Sequence, residues 1–261
     1  PMHTVTVDAH TVAPAPISAF ISTTLMNVGF LAIFRIYALF CATAILPFMN
    51  HVLLLSGTLS LLVAAGYMLK AKHNKRMLAY SSLENMGLVA IALGIGGIGY
   101  YAAILHIVLH SLTKAGLFYQ VGLSHRVMGS YRLDESGHYM TLYPAGAGAL
   151  LLGLICITAI PPSGMFISEL YIFREMVAGG QYWLLAITAL LLCYVLYAMM
   201  TRVLHILFSP PREKPVHDPV VVGPLHSVSQ YLLFGLVIVI CFWQPPLLRE
   251  VIETIISELP R

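Results

Sequence analysis

Three side chains that can carry protons recur at helical spacing in one apolar stretch of the sequence. His106, His110 and Lys114 are four residues apart, so on a helix they share one face at steps of about 6 Å along the axis. Histidine titrates near neutral pH, and a lysine in an apolar environment can also exchange a proton. Because these steps are too long for direct hydrogen bonds, we expect a proton relay in which water joins the three side chains.

Two other interpretations of this stretch stay open. The histidines can bond helix carbonyls while Lys114 extends towards the membrane surface. His106 and His110 also have the spacing of a zinc site, but no glutamate adjoins the first histidine and no third ligand is near. A charge inside a membrane costs about 2.5–3.5 kcal/mol, and such groups usually mark ion paths. We therefore favour the relay and predict no metal site.

A carboxylate after a predicted helix break is the fourth candidate. Glu169 follows Pro161, Pro162 and Gly164, and the two prolines remove two amide donors, so an unbroken helix is not expected here. Broken membrane helices recur at the ion sites of transporters, which makes Glu169 a candidate proton carrier. It can also act as a cap of the second half-helix.

Glu84 and Lys75 are accessory candidates at the edge of another span. Glu84 lies about two helical turns after the basic loop 70–76. Buried deeply enough, its carboxylate would join the relay. Alternatively, Glu84 pairs with Lys75 or Arg76 at the membrane edge.

The elements that must position these side chains are membrane helices. Of the 261 residues, 59% are hydrophobic and 10% charged, whereas soluble domains carry about 25% charged residues. The net charge of +3 is too small and too scattered for nucleic-acid binding. We predict an all-α, polytopic transmembrane bundle. Apolar stretches of suitable length lie at 17–41, 48–69, 78–98, 100–122, 141–160, 163–178, 183–208 and 231–243.

The break at Pro161 decides the number of crossings. The loop 70–76 contains four of the 14 Lys and Arg residues, which places it in the cytoplasm. If 141–160 and 163–178 are separate crossings, the later basic loop around Arg212 lies outside; if they form one discontinuous helix, it lies inside. We favour seven crossings with a broken sixth, a cytoplasmic loop remnant at 1–16, a transmembrane domain at 17–243 and an amphipathic tail at 244–261.

The sequence resembles the proton-conducting, antiporter-like subunits shared by respiratory complex I, Mrp-type cation/proton antiporters and membrane-bound hydrogenases. The matching segments are 8–18 (DAHTVAPAPIS), 75–82 (KRMLAYSS), 106–114 (HIVLHSLTK) and 161–169 (PPSGMFISE). Within the family, residues 81–87 look most like component F of hydrogenase 4 and formate hydrogenlyase. The resemblance implies helices eight to fourteen of a fourteen-helix subunit. In it, His106, His110 and Lys114 pass protons along a central polar axis, and Glu169 gates one half-channel.

From the residues and the resemblance together, we expect a proton-translocating subunit of a multisubunit redox complex, of the hydrogenase 4/formate hydrogenlyase or NADH:quinone oxidoreductase type. It would lie in the inner or plasma membrane of a prokaryote beside other membrane subunits. No haem, flavin, iron–sulfur or quinone signature occurs, so we expect no cofactor in this chain. Two alternatives stay open: an Mrp-type antiporter subunit that exchanges protons for sodium or potassium, and a scaffold that conducts nothing.

Overall fold

The computed structural model describes residues 3–210, 220–257 and 259, and over these ranges the chain is helical, without a β-strand. The α-helices are α1 (His3–Val12), α2 (Ala15–Phe20), α3 (Met26–Phe40), α4 (Leu46–Met68), α5 (Asn74–Ile95), α6 (Ile98–Met128), α7 (Tyr139–Leu142), α8 (Pro144–Ile157), α9 (Gly164–Ala178), α10 (Tyr182–Phe208), α11 (Val228–Phe242) and α12 (Pro246–Ile256). A π-helical turn, Ile21–Leu25, joins α2 to α3, and a 3₁₀ turn, Pro224–Ser227, precedes α11.

Six helical stretches in the described ranges are long and apolar enough to cross a membrane. They are Ala15–Phe40, Leu46–Met68, Asn74–Ile95, Ile98–Met128, Tyr182–Phe208 and Pro224–Phe242. The helix α8 is also apolar but shorter. The predicted all-α polytopic bundle is therefore confirmed. If α8 and α9 are counted as one interrupted span, the total is the seven crossings that the charge pattern favours.

The predicted helix break is present. The helix α8 ends at Ile157 and α9 begins at Gly164, with a cis peptide bond between Pro161 and Pro162 in the connection. Since proline has no amide proton to donate, the helical hydrogen-bond ladder cannot continue through this pair. The discontinuous helix expected from the sequence is confirmed.

Ser163 caps the second half-helix. Its Oγ accepts a hydrogen bond from the Met165 amide at 3.2 Å and donates one to the Cys156 carbonyl oxygen at 2.9 Å. Glu169 is the sixth residue of α9, beyond the first turn in which a side chain can cap amides. The interpretation of Glu169 as the cap is therefore wrong, and its carboxylate is available for another role.

The helices α5 and α6 form the buried centre of the bundle. Most residues of these two helices are buried, whereas the other long helices leave most of their apolar surface exposed. Exposed apolar surface is what a helix facing lipid requires. The ionisable side chains on α5 and α6 are therefore shielded from lipid by the surrounding helices.

Glycine allows α4 and α5 to approach each other closely. A Cβ added at Gly57 of α4 would lie 2.6 Å from the carbonyl oxygen of Gly87 on α5 and 2.7 Å from Cγ1 of Ile91. Small residues at such crossings are typical of packed membrane helices, because they let the backbones touch. This contact contributes to the register in which α5 presents its polar residues to α6.

We expect Gly57→Ala to destabilise the bundle by about 1–3 kcal/mol through overpacking against α5. Gly66→Ala is the matched control, because an added Cβ on that residue of α4 meets nothing within 4 Å and gains the same helix propensity. The free energy of unfolding of the detergent-solubilised subunit measures the difference. Equal values for the two variants would contradict the close contact.

Residues 3–12, within the segment expected to be a loop, form helix α1. The helix packs along α5 and buries Val7 and His10. It ends just before Pro14, because the proline ring disfavours a helical conformation in the preceding residue. Most of the segment 1–16 is therefore helical, while its cytoplasmic location stays a prediction.

The predicted amphipathic tail is confirmed as helix α12. It contacts α6 and buries Ile252, whereas Leu247 and Val251 stay exposed. Arg212, in the loop that entered the topology prediction, and positions 258, 260 and 261 of the predicted tail lie outside the described residues.

Two loops hold the start of α5. The Asn74 amide donates to the Tyr131 carbonyl oxygen at 2.9 Å, and the Leu133 amide donates to the Lys72 carbonyl oxygen at 2.9 Å. Between these two bonds, His73 and Arg132 form an isolated β-bridge. The contacts place the first turns of α5, which carry residues of the polar centre.

His73 makes this junction sensitive to pH. Burial, together with the positive charges of Arg132 and Arg76, lowers the pKa of His73 below its ordinary value. The folded state therefore favours the neutral imidazole, so its stability is complete above the unfolded pKa of about 6.5 and is lost as the pH falls through that value. We expect His73→Gln to reduce the fall in melting temperature between about pH 7.5 and pH 5.5. An unchanged pH dependence would contradict the assignment.

Candidate proton-transfer site

Buried polar side chains run through the centre of the bundle where α5, α6 and α9 meet. On α6, His106, His110 and Lys114 are all 0% exposed. On α5, Ser81 and Asn85 are equally buried, one helical turn apart on the same face. An apolar core tolerates such groups only when they are paired or used in function.

His106 is held between α9 and α5. Its Nδ1 lies 2.9 Å from Oγ of Ser168, and its Nε2 lies 2.9 Å from Oδ1 of Asn85. Both nitrogens therefore contact neutral side chains, and the interpretation in which this histidine bonds a helix carbonyl is wrong. Across the described ranges, no three His, Cys, Asp or Glu side chains are grouped closely enough to hold a metal ion.

Asn85 connects His106 to a carboxylate. Its Nδ2 donates to Oε2 of Glu84 at 2.6 Å and to the carbonyl oxygen of Ser81 at 2.7 Å. Glu84 is 4% exposed and lies within electrostatic range of Lys114 and Glu169. This carboxylate therefore faces the polar centre.

The basic residues near Glu84 have other partners. Nζ of Lys75 donates to the carbonyl oxygen of Ala13 at 2.6 Å. Arg76 forms an ion pair with Asp8, with 3.2 Å between Nη2 and Oδ1. The alternative in which Glu84 pairs with Lys75 or Arg76 is therefore wrong.

Lys114 is bound to α5. Its Nζ donates to the Leu78 carbonyl oxygen at 2.6 Å and to Oγ of Ser81 at 2.8 Å. The lysine is fully buried and does not extend to the membrane surface. The Ser81 carbonyl oxygen, a different atom, accepts from Asn85. Residues of α5 thus position both Lys114 and His106, an arrangement that the spacing along α6 did not predict.

His110 lies between the other two α6 residues without a fixed partner. Neither of its ring nitrogens has a hydrogen-bond partner among the described residues, although His106 and Lys114 are within electrostatic range. An unpaired buried polar group costs about 1–3 kcal/mol. Buried imidazole nitrogens are normally paired, so a water is the partner that a proton transfer at His110 requires.

Glu169 lies at the α9 side of the site, directly after Ser168 in the chain. It is partly exposed, and within the part of the chain that the structure describes Glu84 is its electrostatic partner. The structure thus brings the four predicted relay residues and Glu84 to one region. Lys75 lies apart from them, because its Nζ binds the carbonyl oxygen of Ala13, the residue after α1.

Sequence reasoning missed four polar residues of this region. Ser81 and Asn85 had a usable signal, because two polar residues four apart inside an apolar span share a face. Ser168 had none beyond its position before Glu169. His10 is fully buried, its Nδ1 lies 2.7 Å from the Thr6 carbonyl oxygen, and its ring centroid is 5.5 Å from that of Phe118 on α6.

Comparison with known proteins identifies the family. Residues 1–193 match the family model described as NADH:quinone oxidoreductase/Mrp antiporter, transmembrane. The chain belongs to this family. The match covers α1 to α9 and the first part of α10, and thus every residue of the candidate site, so the resemblance found from the sequence motifs is confirmed.

Relatives in this family include a hydrogenase-4 component F homolog from Methylacidiphilum infernorum, which is 33% identical over 213 residues, 81% of this chain and 44% of that protein. A chain of the archaeal membrane-bound sulfane sulfur reductase shares the fold, with a TM-score of 0.84 at 23% identity over 100% of this chain and 54% of that one. A chain of the Mrp complex from Dietzia sp. DQ12-45-1b also shares the fold, with a TM-score of 0.86 at 18% identity; the match covers 99% of this chain and 56% of that one. The chain thus spans about half the length of these relatives.

Proposed function

We propose that this chain is the proton-translocating part of a membrane subunit in a multisubunit redox complex of the hydrogenase 4 or NADH:quinone oxidoreductase type, in the inner or plasma membrane of a prokaryote. One observation carries the proposal: a buried path of polar residues in which Ser168 and Asn85 hold His106, and Ser81 holds both Asn85 and Lys114. Its hydrogen bonds measure between 2.7 and 2.9 Å. With water between them, ionisable groups held in this way can exchange protons without exposing a charge to lipid.

The residues of the path have different roles. Lys114 holds a proton at Nζ and passes it on, and His106 and His110 accept and release protons at their ring nitrogens. A step at His110 needs an intervening water, because this imidazole has no fixed partner among the described residues. Asn85 carries no proton and orients its two neighbours instead.

Glu84 and Glu169 supply the acidic end of the path. Glu84 is within electrostatic range of both Lys114 and Glu169, so a charge on any one of these groups changes the proton affinity of the other two. Glu169, next to the helix break, exchanges protons between the path and one side of the membrane. This arrangement raises Glu84 from an accessory candidate to a proposed link between Lys114 and Glu169.

Electron transfer in other membrane subunits would drive the cycle. A change of charge at a neighbouring subunit alters the proton affinity of the nearest group in the path, and the buried network transmits the change to the next group. Relatives named as hydrogenase-4 and NAD(P)H-quinone oxidoreductase components support a redox complex as the context. This chain is proposed to take part without a cofactor of its own.

Inside-out membrane vesicles that contain the native complex test the proposal. Redox turnover should acidify the vesicle lumen in sodium-free buffer, as measured with a pH-sensitive dye. Acidification that requires sodium or potassium would favour the antiporter alternative. Acidification that is unaffected by substitution of Lys114 would favour the alternative in which this chain is a scaffold that conducts nothing.

A further inference from the structure

Asn85 determines which nitrogen of His106 carries the proton. Its Nδ2 donates to Glu84 Oε2 at 2.6 Å and to the Ser81 carbonyl oxygen at 2.7 Å, so both amide hydrogens are used. Rotating the amide by 180° would bring Oδ1 against the Ser81 carbonyl oxygen, which cannot donate. Asn85 therefore presents Oδ1 to His106, and Nε2 of His106 must be the donor in their 2.9 Å contact.

The other nitrogen of His106 faces a group that can donate or accept. Oγ of Ser168 lies 2.9 Å from Nδ1 of His106 and 2.8 Å from the Met165 carbonyl oxygen. A hydroxyl has one hydrogen to donate and two lone pairs. With neutral His106, the Ser168 hydrogen points to Nδ1; with a proton on Nδ1, the imidazolium donates to Oγ and the Ser168 hydrogen turns to Met165.

We propose that Ser168 is a positioning residue whose hydroxyl reverses direction when His106 gains or loses a proton at Nδ1. The proposal rests on the proposed function, since it assigns a role in proton translocation. In both states every polar atom of the His106 ring is paired, so uptake and release of the proton leave no buried donor or acceptor unsatisfied. Water carries the proton to Ser168 Oγ as the hydroxyl's own hydrogen passes to Nδ1, and release reverses both transfers.

The reversal reaches the helix that carries Glu169. In an α-helix, the amide of Glu169 donates to the carbonyl four residues earlier, which is that of Met165. The Ser168 hydroxyl therefore forms or breaks a hydrogen bond to the Met165 carbonyl oxygen, which also accepts from the Glu169 amide. The protonation of His106 on α6 is thus coupled to the first turns of α9, next to the helix break.

Ser168→Ala and Ser168→Thr in the full-length subunit of the native complex test this role. Proton translocation per electron in inside-out vesicles should fall about tenfold in the alanine variant, the scale of a lost hydrogen bond to a charged group, and the threonine variant, which keeps a hydroxyl, should recover most of it. Ser124→Ala is the matched control: Ser124 is 1% exposed and donates to the Val121 carbonyl oxygen at 2.9 Å. We expect this control to translocate protons like the wild type.

A double variant separates the switch from a structural role. In a His106→Gln background, Ser168→Ala should leave the remaining translocation unchanged, because the group it serves is gone. A further fall of about tenfold, or no fall in the single Ser168→Ala variant, would overturn the inference. If Lys114→Met also left translocation unchanged, the proposed function itself would fail. If Lys114→Met lost translocation as expected but Ser168→Ala translocated like the wild type, only the role of Ser168 would be overturned.

Discussion

Replacement of Lys114 by methionine is expected to reduce proton translocation by about 100-fold or more, the scale of a lost general acid–base group. Methionine has a similar length and fits a fully buried position, but it cannot carry a proton. Its thioether also cannot donate to the Leu78 carbonyl and Ser81 hydroxyl that now bind Nζ. The initial rate of dye quenching in inside-out vesicles measures the effect.

Two further variants make the Lys114 result specific. Lys114→Arg keeps a positive charge but releases no proton at physiological pH, so it should also lose translocation if proton exchange matters. Lys70→Met, at an exposed position, should behave like the wild type. Full activity of Lys114→Arg would mean that a fixed charge is sufficient and that the lysine is not a proton carrier.

Replacement of Glu169 by glutamine should have an effect of comparable size, about 100-fold. The amide keeps the shape of the carboxyl group but cannot exchange a proton, and it removes the charge that Glu84 senses. The prediction concerns the terminal step of the path, so protons should still reach His106 and Lys114, although loss of the Glu169 charge shifts the proton affinity of Glu84. In a single-turnover measurement, the Glu169→Gln variant should release an early proton but should not reach a steady rate of proton release.

Glu175→Gln is the matched control for this variant. Glu175 lies on the same helix, and its Oε2 accepts from the amide of Ile98 at 3.4 Å, at the start of α6. It has no contact with the buried path, so its replacement should leave translocation intact in an assembled complex. Loss of translocation in both variants, or in neither, would contradict the special role of Glu169.

Local sequence rules were sufficient for the helix break and for the α6 residues. Consecutive prolines at 161 and 162 exclude a continuous helix wherever they occur, and a four-residue spacing places His106, His110 and Lys114 on one face in any α-helix. The burial of these groups also follows from the cost of a charge in lipid. None of these arguments needs knowledge of how the helices pack.

The connections between the helices were not predictable in the same way. That Asn85 and Ser81 join His106 to Lys114 depends on the register of α5 against α6, which rests on close contacts such as that between Gly57 and Gly87. A single sequence contains no record of this register. The spacing argument therefore predicted a path along α6 alone, whereas the hydrogen bonds cross to α5.

The helical conformation of residues 3–12 was also missed, because polar residues and the nearby prolines of that segment are typical of a loop. The helix exists because its packing against α5 buries Val7 and His10, and tertiary contacts often override weak local preference. The alternative role of Glu169 as a cap fails for a local reason instead. Ser163, the residue directly before α9, was the better cap by residue type.

The ratio of protons translocated to electrons transferred tests the central claim most directly. It is measured in inside-out vesicles that contain the assembled native complex, for the wild type and for Lys114→Met in the same preparation. The buried path predicts a ratio that falls in the variant while electron transfer and assembly persist. An unchanged ratio in an assembled Lys114→Met complex would show that protons do not pass through this site.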